Sequence, residues 1–361
     1  MQKSIEKTKE RAVGLDVLRI MLALLIFAYH SNMHFDCHYG ILEHFVRYGA
    51  IAMTAFFILS GYALNFGYKE FSNLSSYKGF LLKRFVGIFP IYYFVIICGL
   101  LIFGRYSLKD ILFLMPFEIL GLQAAFSSVK DLANNGGIWF ISCLTICYMV
   151  YPFLQWIFKW MTNKQRTITI AIFAFILVLA PLTQNNFDLI SIYDNPLFRL
   201  LEFSIGILLA KIDSDVSHEH LYFRIISNKM TLLVVCVTLV IGVSAFDIYM
   251  QSIGRYRDYM LCNIVCLPCF ILMFPALAVL KCRCLANSMI FLYCCKLSYA
   301  FFLAQEFTWP ISYKVLVLAN NNSNVMHILV SFLCCTLIAI VLHEFVEKIS
   351  SKYLTKKLFA K

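Results

Sequence analysis

The sequence predicts an all-α, polytopic bundle of about ten membrane-spanning helices with both termini cytoplasmic, and three observations carry that expectation. Of 361 residues, 61% are hydrophobic and 14% charged, against roughly 45–50% and 25% in an ordinary soluble domain. Mean hydropathy is +0.77, and with 34 Phe and 20 Tyr there are too few polar side chains to coat a water-facing particle. Runs of about 20 mostly apolar residues, enough to cross a bilayer, fill nearly the whole chain. A soluble globule is excluded. The 31 Lys and Arg against 20 Asp and Glu leave a net charge of +11, which in a membrane protein gathers in cytoplasmic loops and calls for no nucleic-acid partner. No linker, low-complexity tract or internal repeat appears, so residues 1–361 read as one domain.

The first expected span, Val17 to Phe35, follows Lys3, Lys7, Lys9 and Arg11. It is longer than a signal-peptide core and lacks a small-residue cleavage site, so it reads as retained. Gly49 to Tyr68 comes next, then Phe85 to Phe103 behind the cations Lys69, Lys78, Lys83 and Arg84. Ile138 to Phe158 and Thr167 to Leu182 flank the basic loop Lys159 to Arg166. Leu197 to Ala210 and Thr231 to Tyr249 flank Lys211, Arg224 and Lys229. Tyr259 to Leu280 and Leu297 to Leu318 flank Lys281 and Arg283, and Val325 to Phe345 precedes the lysine-rich C-terminus. An eleventh apolar piece, Ile111 to Gln123, is shorter and carries Pro116, Glu118 and Gly121. If it crossed, the basic loop after Phe158 and the C-terminal lysines would face outward, against the positive-inside rule, so it reads as re-entrant or interfacial. Arg255 and Arg257 fall on the outer side and fit the rule poorly. The 14 Cys lie mostly in apolar stretches and imply no disulfide framework; only Cys37 is expected on an outer loop.

Ionisable side chains within spans are costly, so each needs a reason. The first helix holds Asp16 and Arg19 at its inner end and His30 roughly 16 Å further along its axis. Arginine suits a phosphate anchor and histidine a general base; the alternatives are a snorkelling Arg19 and a packing His30. His34 and His38 continue the row at four-residue spacing, which would suit a metal, but they fall at the outer rim and no metal is expected. In the second helix Gly61 allows close helix approach, while Ser60 and Tyr62 offer hydroxyls at a depth like that of His30. Lys83 and Arg84 are either phosphate ligands or solvated inner-face charges. Arg199 and Glu202 are placed to pair with each other. Glu306, beside Gln305, lies near the centre of the penultimate span, where it either orients His30 or pairs with another polar group. The Cys266/Cys269 and Cys282/Cys284 spacings resemble zinc pairs, but the first sits in an apolar helix.

With Gly14-Leu15-Asp16-Val17-Leu18-Arg19, then His30, then Phe56-Phe57-Ile58-Leu59-Ser60-Gly61-Tyr62, the chain resembles the acyltransferase-3 family of integral membrane O-acyltransferases. Lys83-Arg84 leading to Ile88-Phe89-Pro90, the Trp139-Phe140 helix, Glu202 to Ala210 and Leu297 to Leu303 extend the likeness in order over most of the chain. The resemblance implies an enzyme that moves an acetyl group from cytoplasmic acetyl-CoA, a co-substrate, to a hydroxyl of a surface polysaccharide or lipid-linked glycan, in a bacterial inner membrane. It implies His30 as the base, Arg19 and Arg84 with Lys83 as donor ligands, and a pocket with Asp16, Ser60, Gly61, Tyr62, Trp139 and Glu306. Ser60 or Tyr62 would donate to the oxyanion. Where the family often has Arg, His and Glu, this chain has Gly87, Gln305 and Leu144-Thr145. A glycan or anion transporter, or a lapsed acyltransferase-like scaffold, are the competing classes.

Overall fold

The computed structural model describes residues 12–68, 71, 73–103, 107–126, 129, 137–184, 191–215, 228–255, 258–320 and 323–359. Lys3, Lys7, Lys9, Arg11, Lys69, Arg224, Arg257 and Lys361, used in the loop-charge argument, lie outside the described residues. Within them every regular element is a helix. The first is α1 (Val13–Phe35), closed by Asp36 in the left-handed region at φ 49°. A short α2 (Glu43–Arg47) and a tight turn at Gly49–Ile51 enter α3 (Ala52–Gly67). Next come α4 (Leu74–Phe103), α5 (Leu108–Leu120), α6 (Ile138–Lys159), α7 (Asn163–Gln184) and α8 (Pro196–Asp215). The chain continues through α9 (Lys229–Ser252), α10 (Asn263–Ala278), α11 (Arg283–Ala286), α12 (Met289–Leu318) and α13 (Asn324–Val341). A π-helical turn, Leu342–Glu347, joins α13 to α14 (Lys348–Phe359).

Among the described residues seven helices are long and apolar enough to cross a membrane: α1, the Gly49–Gly67 helix, α4, α6, α7, α9 and the continuous Asn324–Leu358 helix. The protein is therefore an integral, multi-pass membrane protein. The three other expected spans are also helical, but they do not read as apolar crossings, and each has a physical reason. The α10 helix has 16 residues, about 24 Å against a hydrocarbon core of about 30 Å. In α12 the expected apolar run is broken by Gln305, Glu306 and Lys314, which face a cavity. In α8 it is broken by Arg199 and Glu202, both fully buried. A helix shielded from lipid by its neighbours has no need of an apolar surface.

The centre of the bundle is the α3–α8 contact, where the backbones touch. A Cβ at Gly61 would lie 2.0 Å from the Phe203 carbonyl oxygen, and one at Gly206 2.0 Å from that of Ile58. Beside this seam Arg199 Nη1 meets Glu202 Oε2 at 2.7 Å, and Thr54 donates to Glu202 Oε1 at 2.8 Å. The guanidinium also donates from Nε to the Tyr193 carbonyl at 2.6 Å and lies 4.8–5.5 Å from the rings of Tyr193, Phe57 and Trp139.

The α5 helix has 13 residues, too few to cross alone. Ser107 and Asp110 close a reciprocal capping box at its start, and Gly121 at φ 65° ends it. The hydroxyls of Tyr92 and Tyr93 donate to the Glu118 and Ile119 carbonyls at 2.7 and 2.5 Å, fastening its end to α4. In α4, Pro90 removes the N–H that would bond the Val86 carbonyl, and Ser351 of α14 donates to that oxygen at 3.1 Å.

Candidate active site

Because α1 runs from Arg19 to His30 through the bundle, it lines a cavity near each end. The cavity at the His30 end has a volume of about 790 Å³, and its walls include His30, His34, Gln305, Glu306, Trp309 and Lys314. His30 Nδ1 is 2.8 Å from Gln305 Oε1, and its ring lies 6.0 Å from that of Trp309. His34 stacks on Trp309 at 5.1 Å and 15°. Gln305 is buried, and its Nε2 has no hydrogen-bond partner. The neighbouring Glu306 accepts the backbone N–H of Gly137 at the start of α6. The hydrogen-bond partner of His30 is thus Gln305, where the sequence offered Glu306. Adjacent helical residues point about 100° apart, so only one of the two can face α1. Pro310, also on the wall, removes the N–H that would bond the Glu306 carbonyl and loosens α12 beside the site.

The cavity at the Arg19 end encloses about 360 Å³, and Arg19, Ser60, Arg84, Tyr148, Tyr299 and Glu347 are on its walls. Arg19 is held by Asp16 at 3.1 Å. Arg84 is packed among the rings of Tyr68, Phe80 and Tyr148 at 5.5–5.6 Å, with its buried Nε unpartnered. Cation–π packing fixes the guanidinium plane and leaves its donors for an anion. Lys83 is exposed. Gly87 lies on the same wall, and a Cβ there would meet nothing within 4 Å. The π-helical turn brings in Glu347, which is paired with His343 at 2.7 Å.

Of the remaining sequence candidates, Gly61, Tyr62 and Trp139 stand apart from these walls. Gly61 is spent on the α3–α8 seam. The Tyr62 hydroxyl donates to Asp213 at 2.6 Å. Trp139 packs on Arg199 and, at 5.1 Å, on Tyr193. Ser60 donates to the Phe56 carbonyl at 2.8 Å and lines the Arg19 cavity rather than the His30 one. The geometry therefore unites His30 with Glu306, and Arg19 with Arg84 and Ser60. Sequence reasoning missed Gln305 as a partner of His30, and also Glu347, whose i, i+4 spacing from His343 was the available signal.

A family model described as an acyltransferase domain, the acyltransferase 3 domain, matches residues 13–344. No curated protein and no solved structure gives a significant match. With nearly the whole helical bundle matched, the chain belongs to the acyltransferase 3 family of membrane acyltransferases.

Proposed function

We propose that the protein transfers an acetyl group from cytoplasmic acetyl-CoA to a hydroxyl of a surface polysaccharide or lipid-linked glycan, with His30 as general base. The observation that carries this reading is the imidazole on the wall of a roomy cavity, bonded through Nδ1 to Gln305. That leaves Nε2 to take the acceptor proton. The hydroxyl oxygen forms its bond to the thioester carbonyl carbon, the C–S bond breaks, and the proton passes from His30 to the departing thiolate. Gln305 Nε2, buried and unpartnered, is a donor available to the developing oxyanion, the role the sequence offered to Ser60 or Tyr62. Arg19 and Arg84, with Lys83 nearby, hold the CoA phosphates by charge-assisted bonds.

The positive-inside pattern supports an orientation in which the Arg19 end, both termini and α14 face the cytoplasm, with about ten crossings in all and α5 lying at the membrane interface. A bacterial inner membrane is the setting that fits a surface-glycan acceptor. The test is His30→Ala: with membrane insertion confirmed, transfer from labelled acetyl-CoA to envelope carbohydrate should fall about 10²- to 10⁴-fold, the usual contribution of a general base. Undiminished turnover would remove His30 from the mechanism.

A further inference from the structure

The two cavities share one side chain, Phe302. Its ring lies 5.4 Å from that of Phe140 and 6.4 Å from that of Phe56, and those two rings are 6.0 Å apart. Phe56 and Phe140 line only the Arg19 cavity. On the other side, the ring tip abuts the backbone of Gly137, where a Cβ would stand 3.1 Å from Phe302 Cζ. That glycine is tied by its N–H to Glu306, one turn beyond Phe302 on α12. The three rings thus form a hydrocarbon wall between the arginines and the base, with Phe302 at its centre.

With the CoA phosphates at Arg19 and Arg84, the pantetheine arm has to carry the acyl carbonyl to His30 past this wall, where Phe302 is packed. We infer that Phe302 is the specificity-determining partition of acyl transfer: it admits a short acyl group toward His30, refuses longer ones, and keeps cavity water from the thioester. The inference rests on the function proposed above. A two-carbon group needs the displacement of one ring. Each added methylene also has to displace Phe56 or Phe140, and a methylene that a pocket accepts or refuses typically changes selectivity about tenfold or more. If the wall is opened, water takes the place of the alcohol: its oxygen bonds to the acyl carbon, the C–S bond breaks, and carboxylate, thiol and a proton are released.

The experiment uses the full chain in membrane vesicles, with labelled acetyl-CoA and butyryl-CoA as probes. Two quantities are read: label moved into envelope material, and free thiol released beyond that transfer. In Phe302→Ala the butyryl-to-acetyl transfer ratio should rise about tenfold, and thiol release uncoupled from transfer should exceed that of wild type. Phe302→Leu should move both in the same direction by less, and it carries the test if the alanine variant fails to reach the membrane. Unchanged ratio and unchanged uncoupled release, in variants that still transfer acetyl, would overturn the partition and leave the function standing. Wild-type protein that transfers from neither thioester would overturn both.

Discussion

His30 Nδ1 stands 2.8 Å from Gln305 Oε1, and this bond joins the first helix to α12 at the wall of the larger cavity. A neutral imidazole that donates from Nδ1 to an amide oxygen presents a free lone pair at Nε2. In the proposed mechanism Gln305 therefore positions His30 without adding a charge to the site. Replacing it with Ala frees the ring to rotate, and misplacement of a reacting group by about 1 Å costs on the order of a hundredfold in rate. Gln305→Ala, which also removes the Nε2 donor, should lower kcat by at least that factor while leaving KM for acetyl-CoA nearly unchanged, because the arginines lie beyond Phe302. Steady-state kinetics in vesicles would check the split; a rise in KM alone would contradict the positioning role.

Arg84 makes the complementary prediction. Its guanidinium is packed among Tyr68, Phe80 and Tyr148, so its direction is set by rings rather than by a carboxylate. Lysine cannot reproduce that planar stacking. Both Arg84→Ala and Arg84→Lys should raise KM for acetyl-CoA about tenfold or more, the equivalent of one charge-assisted bond, with a smaller change in kcat. A lysine variant with wild-type KM would show that charge alone suffices.

Arg199 and Glu202 are fully buried and bonded at 2.7 Å. Removing one member leaves the other charge uncompensated, which typically costs about 3–5 kcal/mol. Arg199→Met alone should sharply lower the thermal unfolding midpoint in detergent, and Arg199→Met with Glu202→Gln should recover much of the loss. Equal destabilisation by the single and double changes would mean that the aromatic cage, rather than the charge balance, holds the site.

Two glycines separate packing from site chemistry. Gly61 has a carbonyl oxygen 2.0 Å from where its Cβ would stand, whereas Gly87 has nothing within 4 Å. Gly61→Ala should therefore cost at least the roughly 1–3 kcal/mol of an overpacked core. Gly87→Ala, in mid-helix with open space, should be neutral or stabilise by up to about 1 kcal/mol. Melting curves of the two variants provide the comparison, and a Gly87→Ala loss as large as that of Gly61→Ala would contradict the packing account.

These contrasts mark what was legible in the sequence. Span length and apolar runs were sufficient for α1, α4, α6, α7 and α9, because a lipid-facing helix is written in composition. In α8 and α12 the apolar run is interrupted by polar residues that neighbours distant in sequence satisfy: Thr54 lies 148 residues from Glu202, and Gln305 lies 275 from His30. Arg199 and Glu202 were readable as a pair, being three apart on one helix. The choice between Gln305 and Glu306 was not, because it depends on the rotation of α12 about its axis, which spacing within a single helix does not fix. The direction of Trp139 was not legible for the same reason: its ring turns toward Arg199 and Tyr193, while Gly137 and Phe140 line the cavities.

The orientation of the bundle is tested by two cysteines at opposite ends. Cys37 follows α1 at the His30 end, where it is fully buried, and that burial pushes its thiol up to about 11. Cys284 is exposed in the segment after α10, whose Leu277 carbonyl lies 2.2 Å from where a Gly14 Cβ would stand, at the Arg19 end. The thiolate is the form that reacts, so at pH 8 Cys37 should resist a membrane-impermeant maleimide even from the side it faces. With the Arg19 end cytoplasmic, intact cells should label neither residue. Opened membranes should label Cys284, and Cys37 should follow only after denaturation, as read by mass mapping of the labelled peptides. Labelling of Cys284 in intact cells would reverse the orientation and put the arginines on the side that lacks CoA; rapid labelling of Cys37 there would instead contradict its burial. The two failures fall on different peptides, so one experiment separates an error of topology from an error of packing.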